Sequence, residues 1–165
     1  MTDPPTGSQG GDPSPARYVA PGGRTDRWST AVVRWLTAHG VSVLGSRVLT
    51  VPGRRTGRPR SVPVNLLRLG PERYLLAPRG NTEWVRNVRA AGGATLRVGR
   101  RVEEVSLVEV PVGDRLPALR QYLRRWGWEV GRLVEGLNAA STDAELAAAA
   151  PGIPVFQVVT PSPGG

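Results

Sequence analysis

Between Arg47 and Val110 the chain is cut into short runs of branched and apolar residues, each ended by a turn. This punctuation limits the fold more than any other feature. The runs are Arg47–Val51, Ser61–Leu69, Arg73–Ala77, Ala94–Val98 and Arg101–Val110. The breaks are the Gly53–Arg60 loop, Gly70-Pro71-Glu72, Gly92-Gly93 and Gly99-Arg100. Segments this short, joined by tight glycine turns, pair with their sequence neighbours as antiparallel hairpins. The last run alternates, with Val102, Glu104, Ser106, Val108 and Val110 set against Glu103, Val105, Leu107 and Glu109. A period of two marks a strand with one face on a core. One stretch interrupts the series. After the loop Pro78-Arg79-Gly80-Asn81, residues from Thr82 to Ala91 read as a helix that Gly92-Gly93 breaks.

Beyond Val110 the pattern turns helical. Asp114 to Trp126 places Leu116, Leu119, Leu123 and Trp126 along one side. A glycine-interrupted segment from Trp128 to Leu137 reads as a further helix. Ser141 to Ala150 reads as another, opened by Ser141 or Thr142 with Glu145 placed for a capping box. Pro154 to Val159 is a closing strand. Strands first, helices late and one returning strand predict an α+β domain on an antiparallel barrel. Upstream, Thr25 or Asp26 to His39 forms a first helix with Trp28, Val32 and Trp35 on one face. That face suits core packing, the commoner use, and equally a membrane surface or a lid over a ligand. Residues 1–24, rich in Pro, Gly and Ser, read as a disordered tail. The domain then spans 25–160, and 161–165 form a short second tail.

All 22 basic residues are arginine, against 13 acids, for a formal charge of +9. An excess of planar guanidinium forks predicts an anionic partner. Cysteine is absent and His39 is the single histidine, which excludes disulfides, thiolate metal sites and paired-histidine relays. No metal is expected. Nucleic acid is a poor match, because the arginines are scattered, aromatics are few and no recognition motif occurs. No apolar run is long enough to span a bilayer. The acidic, proline-rich start does not read as a secretory signal, so the expected address is cytoplasmic.

The arginines concentrate once, in Gly53-Arg54-Arg55-Thr56-Gly57-Arg58-Pro59-Arg60. Two glycines permit a tight path and close approach of a ligand to backbone amides, which in such turns form anion nests. No acid stands near in sequence. A solvated basic hairpin tip fits the spacing as well as an anion site does. With no lysine and the wrong glycine spacing, it is no nucleotide P-loop.

The stretch from Gly53 to Pro63 resembles the signature G-R-[KR]-[ST]-G-x-P-R-x-x-P of the deazaflavin-dependent nitroreductase family. A second block is similar to that family too: Ala77-Pro78-Arg79-Gly80, then Trp84-Val85-Arg86-Asn87-Val88. So is the closing Ile153-Pro154-Val155-Phe156. The resemblance implies a split, flavin reductase-like barrel that binds coenzyme F420, whose phosphodiester and oligoglutamate tail are anionic, with FMN as the alternative cofactor. It implies an oxidoreductase passing hydride to a small electron-poor acceptor: a quinone, an enone or a nitroaromatic. The alternative is a carrier of the same fold without turnover. Arg54, Arg55, Thr56 and Gly57 would hold the phosphate and tail. Arg60, Ser61, Val62, Pro63, Val64 and Asn65 would line the next stretch of cofactor. Ala77, Pro78, Arg79 and Gly80 would face the ring through backbone groups, with Trp84 and Asn87 projecting from the helix. Pro78 stands where the family carries a serine, and Ala91-Gly92 where Asn-Pro is common. Tyr122, Trp126 and Trp128 form either a substrate wall or, more commonly for such clusters, core. His39 reads as a helix-end residue. A homodimer is compatible with the sequence, as is peripheral membrane contact through the first helix.

Overall fold

Residues 46–130 and 136–161 are described by the computed structural model. The N-terminal tail, the helix expected from Thr25 or Asp26 to His39, and residues 162–165 lie outside that range.

The strands are β1 (Ser46–Pro52), β2 (Pro59–Leu69), β3 (Glu72–Leu76), β4 (Gly93–Val98), β5 (Arg101–Glu109) and β6 (Val155–Val159). They close into one barrel in the order β1-β2-β3-β6-β5-β4, with every neighbouring pair antiparallel. Three of the joins are hairpins between consecutive strands. Closure comes from β1 meeting β4, with Val48, Leu49 and Thr50 opposite Arg97, Leu96 and Thr95. The α+β split antiparallel barrel expected from the sequence is therefore the fold. β2 begins two residues earlier than expected, because Pro52 still pairs with Pro59. Proline is tolerated at such a strand start.

Strand alternation builds two cores. Leu49, Val51, Val64, Leu75, Leu96, Val105, Leu107, Phe156 and Val158 fill the barrel interior. Outward-facing Leu67, Leu76 and Val155 form a second core beneath two helices, α2 (Leu116–Val130) and α3 (Asp143–Ala149). The face predicted for α2 is the buried one, with Leu119, Leu123 and Trp126 all under 9% exposed. Its backbone kinks at Trp126, and its described span reaches Val130. Of the helix expected from Trp128 to Leu137, residues 131–135 lie outside the description, and Gly136 and Leu137 are not helical. The capping box of α3 forms as read: Thr142 Oγ1 accepts from Glu145 N, and Glu145 Oε2 accepts from Thr142 N.

The barrel ends differ. One is plugged by α1 (Glu83–Ala91), whose Val85 and Val88 join the interior core. Gly92 ends that helix in the left-handed region, at φ 67°, and donates to Val88 O. At the other end Arg73 forks onto Glu103 with bonds of 2.9 and 2.8 Å, and Thr160 Oγ1 bonds Glu103 Oε1 at 2.7 Å. Buried Arg115 fixes the return to β6 by donating to the carbonyls of Val110, Ala150 and Ile153. No described helix is long and apolar enough to cross a membrane.

The Arg73 guanidinium holds the Glu103 carboxyl down at about 2, with Thr160 assisting. A carboxylate whose pKa falls on folding stabilises the fold above its unfolded value and loses that contribution as pH drops through the folded one. Acid titration followed by circular dichroism should show a stability loss between the ordinary carboxylate range and pH about 2. Glu103→Gln should be less stable at neutral pH and should flatten that part of the curve.

Candidate functional site

The β1–β2 loop sits beside the N-terminus of α1. Gly53 N donates to Arg58 O at 2.8 Å, and Gly57 N to Gly53 O at 2.7 Å, which folds the loop back on itself. A Cβ on Gly53 would lie 3.2 Å from Arg58 O, and Gly57 has φ of +69°. Gly57 thus needs glycine for its left-handed backbone, and a side chain on Gly53 would crowd Arg58 O. Thr56 Oγ1 accepts from Arg58 N at 3.3 Å. Its O–H proton is still available to an oxygen acceptor.

Asn87 holds this loop from beneath. The residue is 4% exposed, and its Oδ1 accepts from Arg54 N at 3.2 Å and from Arg54 Nη1 at 3.1 Å. One buried amide oxygen therefore fixes both the backbone and the head group of Arg54. The sequence led us to expect no acid near the loop, and the structure corrects this. Glu83, in the first turn of α1, places Oε2 at 2.6 Å from Arg54 Nη1. That hydrogen bond pulls the Glu83 carboxyl below the ordinary range and raises Arg54. The chain's fold back on itself, not sequence proximity, makes the pair. Arg55, Arg58 and Arg60 are exposed and form no ion pair among the described residues.

Strand alternation divides the stretch expected to line the cofactor. Arg60, Val62 and Val64 share the inward parity, and Val64 is a core residue at 8% exposure. Ser61, Pro63 and Asn65 take the opposite face, where Ser61 Oγ lies 2.8 Å from Thr50 Oγ1. A ligand lying on one face meets the side chains of one set only.

The segment from Ala77 to Gly80 leads directly into α1. Ala77 N donates to Pro154 O and Gly80 N to Ala77 O, both at 2.9 Å. Pro78 has no N–H. Arg79 carries the one amide of this segment without a hydrogen bond among the described residues. Gly80 has φ of +78°, and a Cβ there would sit 3.2 Å from Gly152 O, so the segment presses against the turn before β6. Trp84 is half-buried with its ring 5.7 Å from that of Phe156, at the plugged barrel end. Trp84 and Asn87 thus have separate partners, one toward the barrel interior and the other under the arginine loop.

Tyr122 and Trp126 pack at 4.9 Å within the second core, and both are buried. The core reading therefore holds for these two. Sequence reasoning missed a linked set of ions next to the Ala77–Gly80 segment. Arg89 on α1 donates to Asn81 Oδ1 and forks onto Glu109, which also accepts from Arg115. Arg89 holds the Glu109 carboxyl below the usual range, helped by Arg115. A cavity of about 250 Å³ bounded by Glu72, Tyr74, Val108, Glu109, Asp114 and Gln157 shares no residue with the predicted site.

The model of the F420H(2)-dependent quinone reductase family matches residues 25–129. The chain belongs to that family. It is an F420-dependent oxidoreductase, and its cofactor is coenzyme F420 rather than FMN. Among solved structures, it is similar to an F420-H2 dependent reductase, FDR-A, at 22% identity. That likeness covers 72% of this chain and 99% of the other, with a TM-score of 0.45. A FAD-binding protein from Mesorhizobium loti is 12% identical over 80% of this chain and 88% of its own, at TM-score 0.48. HutZ, the heme storage protein from Vibrio cholerae, is 10% identical over 78% and 89%, also at 0.48. Nothing about ligands carries across likenesses this remote. No curated protein matches the chain.

The residues present fit the cofactor's anionic portion. Three exposed guanidinium groups that form no ion pair among the described residues, the Thr56 hydroxyl and the backbone amides of the glycine-folded loop are donors of the right kind. If Asn87 is the anchor, Asn87→Val should strand the Arg54 N–H and cost about 1–3 kcal/mol. Urea unfolding of the variant against the parent measures this, and an unchanged midpoint would show that the anchor is dispensable.

Proposed function

We propose that this reductase transfers hydride from reduced F420 to a small electron-poor acceptor, a quinone above all, with enones and nitroaromatics of the same class. The reduced deazaflavin supplies the hydride when bound, so the protein's task is positioning and exclusion of water. The observation that carries the reading is the pairing of two features on one helix approach. The arginine-rich loop is tied to α1 through Glu83 and Asn87, and the Arg79 amide, without a hydrogen bond among the described residues, lies in the segment that leads into the same helix.

Each part of the chain then has a role. Arg55, with Arg54, Thr56 and Gly57, holds the phosphodiester and tail by charge-assisted and backbone hydrogen bonds. Arg60 continues the cationic track from the loop onto β2. Arg79 N donates to a carbonyl of the ring system, the one amide of its segment free to do so. Pro78, lacking the serine hydroxyl found in related sequences, leaves that amide as the main polar contact there. Trp84, wedged on Phe156, gives the ring-facing segment a stiff apolar backing. Tyr122 is buried in the second core, so the proton that completes reduction comes from solvent.

Binding and turnover test separate parts of this reading. Fluorescence titration of the parent with coenzyme F420 should show saturable binding, and Arg55→Glu should weaken it by about tenfold or more, because attraction becomes repulsion. With reduced coenzyme, a naphthoquinone should re-oxidise it catalytically. Equal affinity in parent and Arg55→Glu would remove the loop from the cofactor site. Binding without turnover across quinones, enones and nitroaromatics would remove the acceptor class.

A further inference from the structure

Glu83 stands where an anionic ligand group would stand. Its Oε2 lies 2.6 Å from Arg54 Nη1, and its Oε1 lies 3.3 Å from Arg86 Nη1. The two partners of the first pair are held very differently. The Arg54 side chain is 24% exposed and pinned by Asn87, whereas that of Glu83 is 70% exposed. Packing therefore does not keep the carboxylate in place; charge does. It can swing into water without disturbing the loop, while the guanidinium stays where it is. Among the described residues, no other acid pairs with an arginine of the loop.

We propose that Glu83 is an affinity-determining residue, a built-in carboxylate competitor that occupies Arg54 in the free enzyme and must leave when the anionic tail of the coenzyme arrives. The inference rests on the proposed assignment of the arginine loop to that tail. Its consequence has a definite sign. A ligand carboxylate or phosphate that gains Arg54 only replaces one anion by another, and the displaced Glu83 remains close enough to repel it. At physiological ionic strength the repulsion reaches about 8 Å. Glu83 thus weakens the grip on the coenzyme, and since mutational changes of affinity fall mostly on dissociation, it speeds release. The opposite role, a carboxylate that orients Arg54 for the ligand, would reverse the sign. Here Asn87 already orients Arg54, which leaves Glu83 free to compete.

The test is a fluorescence titration of coenzyme F420 against the parent, Glu83→Gln, Arg54→Gln, the double variant and Arg55→Glu. Stopped-flow dissociation and a salt series accompany it. Glu83→Gln should tighten binding by about two- to fivefold, the range expected of one exposed charge contact. The change should appear as slower release and shrink as salt is added. In the Arg54→Gln background the same substitution should gain much less, because there is no occupied guanidinium to vacate. Inorganic phosphate, used as a competitor, should displace the coenzyme from the parent and Glu83→Gln in proportion to its own gain. Unchanged or weakened binding in Glu83→Gln, with a normal melting temperature and a weakened Arg55→Glu, overturns the inference and leaves the loop assignment standing. So does an undiminished gain in the Arg54→Gln background. If Arg55→Glu binds as tightly as the parent, the loop assignment itself fails and this inference fails with it.

Discussion

The pairing of β1 with β4 is the contact on which the molecule depends. A sheet of six strands has two free edges, and joining Val48–Thr50 to Thr95–Arg97 removes both. Once the sheet is closed, inward side chains have no face but each other, and Leu49, Leu96, Leu75 and Phe156 become fully buried. Closure also creates two ends that need covering. One is covered by an ion pair, the other by a helix. The choice of a helix for the second end brings α1 across the barrel mouth and sets its N-terminus against the β1–β2 loop. The functional site follows from that covering. It requires no element that the barrel does not already need.

Charge is used differently at the two ends. Arg73 and Glu103 meet as a two-point fork with Thr160 completing the carboxylate's partners, an arrangement fully satisfied within the protein. Around α1 the accounts of charge do not close. Arg89, Glu109 and Arg115 are matched to one another and brace Asn81, but Arg55, Arg58 and Arg60 of the loop form no ion pair among the described residues. Unmatched like charges on one small loop repel, and the fold tolerates them only because they are in water, where the repulsion is screened. A ligand bearing several negative charges relieves this.

Local rules made much of this legible from the sequence. Gly92 ends α1, Thr142 and Glu145 cap α3, and the Gly70-Pro71 turn makes the β2–β3 hairpin, each because the causes lie within a few residues. Alternation in β5 separated Val105 and Leu107 from Val102 and Val108 correctly. Pairings across the fold were not legible. Glu83 is 29 positions from Arg54, and nothing in its neighbourhood marks it as that arginine's partner. The same holds for Asn87, whose amide oxygen accepts from Arg54 across 33 positions. The division of β2 into two faces was available from strand geometry alone.

These placements explain why a motif can be specific without every member touching the ligand. In the loop signature, Gly53 and Gly57 set the path and Arg54 ties it to α1, while Arg55, Arg58 and Arg60 remain exposed. In the second block, Trp84 and Asn87 face the barrel and the loop, and the free amide belongs to Arg79. The spacing of the two blocks is therefore a constraint on geometry as much as on contact. Inserting one residue into α1 between Trp84 and Asn87 would rotate one side chain relative to the other by roughly 100°. Such a shift would part Asn87 from Arg54 or Trp84 from Phe156, because the two contacts could no longer form together. The residues that hold the helix in register are thus as restrictive as any that meet the coenzyme.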